Sequence, residues 1–98
     1  MGKVIFTISY EVAPEKREEY LALTQEMKRH FAPADGRSYG VFEQKGKKNN
    51  FSEVFQFTTM EEYDRLEDQD EQMSSLVQRL ESLLADGKMK YSTLIELD

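Results

Sequence analysis

The sequence predicts an α+β domain: a four-stranded antiparallel sheet with its helices on one face, in the order βαββαβ. Three observations carry this. The N-terminal residues alternate with period two, a central stretch sets two aromatic and β-branched runs either side of a Gly, Lys and Asn cluster, and two further segments repeat apolar residues at helical spacing. The 98 residues read as one domain, 1–98.

Across residues 3–12, Val4, Phe6, Ile8, Tyr10 and Val12 alternate with Ile5, Thr7, Ser9 and Glu11, which is a strand pattern. Pro14 ends that strand and opens a helix, because a proline at the first helical position loses no hydrogen bond the helix would have made. Glu15, Glu18 and Glu19 complement the positive end of its dipole, and Lys28, Arg29 and His30 the negative end. Tyr20, Leu23, Met27 and Phe31 form its apolar stripe; Pro33, Asp35 and Gly36 stop it.

Residues 38–57, SYGVFEQKGKKNNFSEVFQF, read as a β-hairpin. Thr59 followed by Glu62 is a capping box, with Met60, Tyr63 and Leu66 as the apolar side of the helix it starts. The polar run EDQDEQ predicts a break, and a second helix capped near Asp70 continues the stripe with Met73, Leu76, Val77, Leu80, Leu83 and Leu84. Gly87 is expected as its left-handed stop. A last strand over residues 89–97 completes the ferredoxin-like order.

Alternation assigns faces. Val4, Phe6, Ile8, Tyr10, Tyr39, Val41, Phe51, Phe55, Phe57, Tyr91, Ile95 and Leu97 are expected beneath the helices. The opposite face is mixed: Ile5, Phe42, Val54 and Leu94 stand among Thr7, Ser9, Glu11, Gln44, Ser52, Gln56, Ser92 and Glu96. It is too apolar for open water and too polar for a dry core, so it suits an interface or a ligand cavity. Glu43 and Glu53 fall on the helix side, where a carboxylate is out of place, and a bulge in the hairpin would reverse part of the assignment.

Composition narrows the function classes. A net charge of -6 opposes nucleic-acid binding, which depends on Lys and Arg neutralising phosphates. The chain has no cysteine, which removes disulfides and thiolate chemistry and fits a reducing cytoplasm. No stretch approaches a membrane span, and the N-terminus lacks a signal-peptide pattern. With one histidine, no metal site is expected.

Size, element order and the stretch FQFTTMEEYDRL together resemble the dimeric α+β barrel superfamily, and within it the antibiotic biosynthesis monooxygenase-like domains. In FQFTTMEEYDRL, Phe55 and Phe57 run into the helix that begins with Thr59, Glu61 and Glu62, much as that family's third strand meets its next helix. The resemblance implies a homodimer whose sheets pack face to face, with the mixed face lining the interior. It implies a small apolar or aromatic ligand there, held by Thr7, Ser9, Phe42, Gln44, Val54, Gln56, Ser92 and Leu94, and extends to monooxygenase chemistry that needs no cofactor. The alternative is a non-catalytic module that uses the sheet only as a dimer interface. Haem-degrading members place a histidine in the helix after the third strand; residues 60–70 contain none. Cofactor-free members use pocket Asn, Tyr and Trp, whereas Asn49 and Asn50 sit in the hairpin turn and there is no Trp. RSYGVF, residues 37–42, is similar to an RNA-recognition strand, but that signature belongs on the third strand and here lies on the second.

The catalytic residues are not named by the sequence. His30 reads as a helix-end cation more readily than as a general base. Glu11 and Glu96 lie on the mixed face near strand ends, where water is close, and read as exposed acids more readily than as functional ones. Tyr10, Tyr39 and Tyr91 read as core tyrosines with hydroxyls at the rim, the acidic residues 61–71 as a solvated helix face, and Lys45, Lys47 and Lys48 as turn solvation.

Overall fold

The structure, a computed structural model, describes residues 2–31, 37–66 and 71–97. Strand β1 (Val4–Glu11) leads through a 3-10 turn (Pro14–Lys16) into α1 (Arg17–His30). The hairpin β2 (Arg37–Glu43) and β3 (Asn50–Phe57) follows, then α2 (Met60–Leu66), α3 (Glu71–Glu81) and β4 (Lys90–Ile95). The strands form one antiparallel sheet in the order β2-β3-β1-β4, so the expected ferredoxin-like α+β fold is the observed one. The cap expected near Asp70 lies outside the described residues.

The stripe on α1 does what its spacing requires. Tyr20, Leu23, Met27 and Phe31 are all buried, with Tyr20 4.3 Å from the Phe51 ring and Phe31 5.1 Å from Phe55 and 5.0 Å from Tyr39. Leu76 and Leu80 of α3 close the same core, and Tyr63 of α2 packs edge-on against Phe57 and Phe6. The Glu62 N–H donates to Thr59 Oγ1 at 3.2 Å, which is the capping contact the sequence predicts.

Two expectations change. α3 ends at Glu81, well before Gly87, because the end of β1 captures the next residues: Ala13 N–H donates to the Leu83 carbonyl, Ala85 N–H donates to the Glu11 carbonyl, and Val12 bridges Leu84. Gly87, at φ 70°, serves the turn into β4 instead. The helices also leave most of β4 uncovered, with Tyr63 of α2 touching it at Thr93. Tyr91 and Ile95 have the expected parity but remain exposed, as does Leu97 beyond the end of β4, at 92%.

Glu43 is accounted for at the end of the sheet. Arg17 grips its carboxylate with two bonds, 2.7 and 3.0 Å, and reaches Asn49 Oδ1 at 2.8 Å, while Asn49 N–H donates to Glu43 Oε2. These bonds from Arg17 and from the Asn49 backbone hold the Glu43 pKa down to about 2. Asn49 turns at φ 68°, a conformation Asn tolerates better than most residues.

Because Leu23 is almost wholly enclosed, Leu23→Ala is expected to cost about 2–5 kcal/mol in urea unfolding, through lost burial and the cavity left behind.

Candidate functional site on the open face of the sheet

The ladder register sets the open face in rows across the strands. Ser38, Gln56, Ile5 and Leu94 make one row; Gly40, Val54, Thr7 and Ser92 the next; Phe42, Ser52, Ser9 and Lys90 the third. Asn50 and Glu11 continue the pattern at the end. The hairpin ladder pairs β2 and β3 residue for residue without a bulge. Seven of the eight predicted ligand residues, Thr7, Ser9, Phe42, Val54, Gln56, Ser92 and Leu94, therefore share this surface. Gln44 lies just past β2, its N–H donating to the Asn50 carbonyl at 2.7 Å.

Phe42 and Leu94 stand at the two edges of the face, in different rows; Ile5 and Gln56 occupy the middle of the Leu94 row, and smaller side chains the middle of the other two. Phe42 on edge strand β2 is 59% exposed and Leu94 on edge strand β4 is 55% exposed. The Phe42 ring leans across Gly40, where an added Cβ would meet it at 3.0 Å. Between them lie Thr7, Val54 and the Ser9–Ser52 hydroxyl pair, 2.8 Å apart. At the lysine end a cavity of ≈ 300 Å³ opens among Ser9, Ser52, Gln44, Asn50, Lys47, Lys88 and Lys90.

The helix side holds a polar cluster that parity alone did not reveal. Glu53 is 3% exposed in the middle of the core, where the Tyr10 hydroxyl donates to its Oε2 and the Tyr39 hydroxyl to its Oε1, both at 2.8 Å. The Tyr20 hydroxyl sits 2.8 Å from that of Tyr10 and extends the chain. Burial raises the Glu53 pKa, and the two phenol donors offset part of that rise. Burial first, then the Glu53 charge, pushes the phenols of Tyr10 and Tyr39 far up, so both stay protonated donors. The hydroxyls of Tyr10 and Tyr39 thus point inward at a carboxylate, not to the rim; Tyr91 alone is exposed, its hydroxyl on Met89 Sδ. The signal in the sequence was Glu53 itself, flanked at i±2 by Phe51 and Phe55 on a buried face.

The remaining candidates separate. Glu11 is exposed, as is Glu96, whose Oε1 accepts from Lys3 N–H at 3.3 Å. His30 lies on α1, away from the sheet ladder, with its ring against Phe31. Asn49 is committed to Arg17. Among the described residues no group of three or more His, Cys, Asp or Glu is placed to hold a metal, and no helix is long and apolar enough to cross a membrane.

No protein-family model matches the chain, and no curated protein matches it in sequence. Solved structures do. A conserved protein from Methanosarcina mazei superposes with a TM-score of 0.82 at 15% identity, covering 96% of this chain and 92% of that one. A candidate antibiotic biosynthesis monooxygenase from Deinococcus radiodurans gives 0.79 at 13% identity, covering 97% and 93%. SnoaB from Streptomyces nogalater, a cofactor-independent oxygenase, gives 0.75 at 15% identity, covering 94% and 90%.

The buried carboxylate has a measurable signature. A raised folded pKa means the folded state holds the proton more tightly than the unfolded chain does. Stability is then greatest while Glu53 is protonated and falls as pH rises above the ordinary carboxylate value of 4.5. Urea midpoints at pH 5 and pH 8 should therefore differ for the natural chain, and Glu53→Gln should flatten that difference. Glu53→Ala, which strands both phenol hydroxyls, is expected to cost about 1–3 kcal/mol at either pH.

Proposed function

We propose that this chain, which has the fold of the antibiotic biosynthesis monooxygenase-like proteins in the dimeric α+β barrel superfamily, pairs with a second copy through the open face and holds a small apolar or aromatic molecule between the two sheets. The observation that carries this reading is the layout of that face, with exposed Phe42 and Leu94 at opposite edges and small side chains between them. A twofold axis parallel to the strands sets β2 of one copy opposite β4 of the other. Sheets pack about 10 Å apart. That axis keeps each row at its own level, so Phe42 stands over the Lys90 position and Leu94 over the Ser38 position of the second sheet, and the short side chains of Thr7, Ser9, Ser52 and Ser92 leave space between them.

Within such a cavity Gln56, Ser92 and Thr7 supply the few polar groups that orient a ligand among apolar walls. The likeness to a cofactor-independent oxygenase supports oxygenation of a quinol-like ring that provides its own electrons to O2. Native mass spectrometry is the first test: a dimer with retained small-molecule mass is expected, and a stable monomer overturns the reading. Oxygen uptake with a panel of hydroquinones is expected next, reduced roughly 2- to 10-fold by Gln56→Ala or Ser92→Ala, the worth of one neutral hydrogen bond.

Overpacking separates a ligand cavity from a dry interface. Ser9→Phe or Ser92→Phe should leave the dimer intact and abolish ligand retention. A loss of about 1–3 kcal/mol in dimer stability with no change in ligand content would mean that the face is only an interface.

A further inference from the structure

One end of the open face carries charge that the apolar reading does not use. The ≈ 300 Å³ cavity there is built by four separate segments: the end of β1, the start of β3, the hairpin turn and the approach to β4. It gathers Lys47, Lys88 and Lys90 in a chain whose net charge is -6. No ion pair among the described residues engages these three ammonium groups; the pairs present join Lys16–Glu19, Arg17–Glu43, Arg65–Glu62 and Arg79–Glu26. Glu11 and Asp86 also line the cavity and leave it one positive charge in excess. Asp86 Oδ1 is turned to the backbone N–H of Lys88 at 3.0 Å. Lys90 neighbours Ser9 across the ladder, and Ser9 shares its hydroxyl contact with Ser52.

We propose that this cavity is an oxyanion subsite, taking the carboxylate, phenolate or phosphate group of a small ligand whose apolar part extends along the sheet toward Val54 and Phe42. Three ammonium donors without acceptors and two hydroxyls match an oxyanion's several lone pairs, and charge-assisted bonds of this kind are roughly twice as strong as neutral ones. Phe42, Ser52, Ser9 and Lys90 share one row, so a planar ring lying across it has its charged end at the lysines and its apolar end at Phe42. The placement of the apolar part rests on the ligand-cavity reading of the open face; the oxyanion contact needs only the single chain.

The test is isothermal titration calorimetry of the full chain with 2-naphthoate, its neutral counterpart 2-naphthamide, and inorganic phosphate, alongside backbone amide NMR shifts. The acid is expected to bind at least about 10-fold more tightly than the amide. Raising ionic strength from about 0.05 to 0.5 M should shrink that advantage, since the cavity is open to solvent. Lys88→Gln with Lys90→Gln, both exposed positions, should remove it while leaving the unfolding midpoint unchanged. Shifts should cluster at Ser9, Ser52, Lys88 and Lys90. Equal affinity for acid and amide overturns the oxyanion subsite and leaves the apolar cavity standing. Phosphate shifts at those four residues without binding of either naphthalene probe support the subsite and sink the apolar cavity. Undiminished acid binding in the double variant, or no binding of any probe at millimolar concentration, overturns the proposal.

Discussion

Both faces of the sheet depend on the register in which β3 lies between β1 and β2, and Glu53 is what pins it. Tyr10 reaches Glu53 from β1 and Tyr39 reaches it from β2, each from a diagonal position in the ladder. A slip of one residue would carry every side chain to the other face. Hydrophobic burial alone forbids that. A slip of two residues would keep the faces intact, so burial alone would not exclude it. It would, however, pull one tyrosine hydroxyl away from a buried carboxylate, which cannot then recover water. A polar group in the core costs stability when charged, and it supplies a specificity that the surrounding phenylalanines lack.

The helix layer then determines what is left open. α1 buries its stripe and α3 buries Leu76 and Leu80 in the same core, leaving Val77 exposed, and the short α2 reaches β4 through Tyr63, whose hydroxyl lies 3.2 Å from that of Thr93. β4 is exposed along its whole length. An edge strand with apolar side chains and unpaired backbone groups is a liability unless something covers it. Tyr91 lies nearly parallel to the Phe6 ring at 6.1 Å, which adds an aromatic contact to the ladder that joins β4 to β1. The uncovered strand and the uncovered face are contiguous, and one occupant would satisfy both.

Much of this was legible in the residues. Strict alternation in β1 and β3 put the face assignments in place, because period two admits only two answers and the aromatic set chose between them. The stripe at Tyr20, Leu23, Met27 and Phe31 was equally decisive. Three features were not legible, each for a physical reason. Parity reports the face of a residue but not whether a helix covers it, so Tyr91 and Ile95 could not be told from Phe55. The partners of Glu53 are 14 and 43 residues away in sequence, and only the cross-strand register brings them together. The lysines of the cavity come from the hairpin turn, from the residues before β4 and from its first position, and only the folded sheet brings these three segments together.

The positions of the acids limit what chemistry the open face can support. The one well-buried carboxylate among the described residues, Glu53, points to the helix side and is bonded at both oxygens, so it cannot accept a proton from anything resting on the other face. His30 is on a helix, while Glu11 and Glu96 are exposed at strand ends. A ring lying on the sheet therefore meets serine, threonine and glutamine, which orient without taking protons at neutral pH. Oxygenation without a cofactor requires an electron-rich substrate, and a phenolate is more electron-rich than its phenol. If the protein does not supply the base, the substrate must ionise on its own, and three lysines at one end of the face favour the ionised form. Charge at the lysine end and reactivity on the ring would then be one requirement, and the fitting substrates would be phenols already acidic enough to lose a proton near neutral pH.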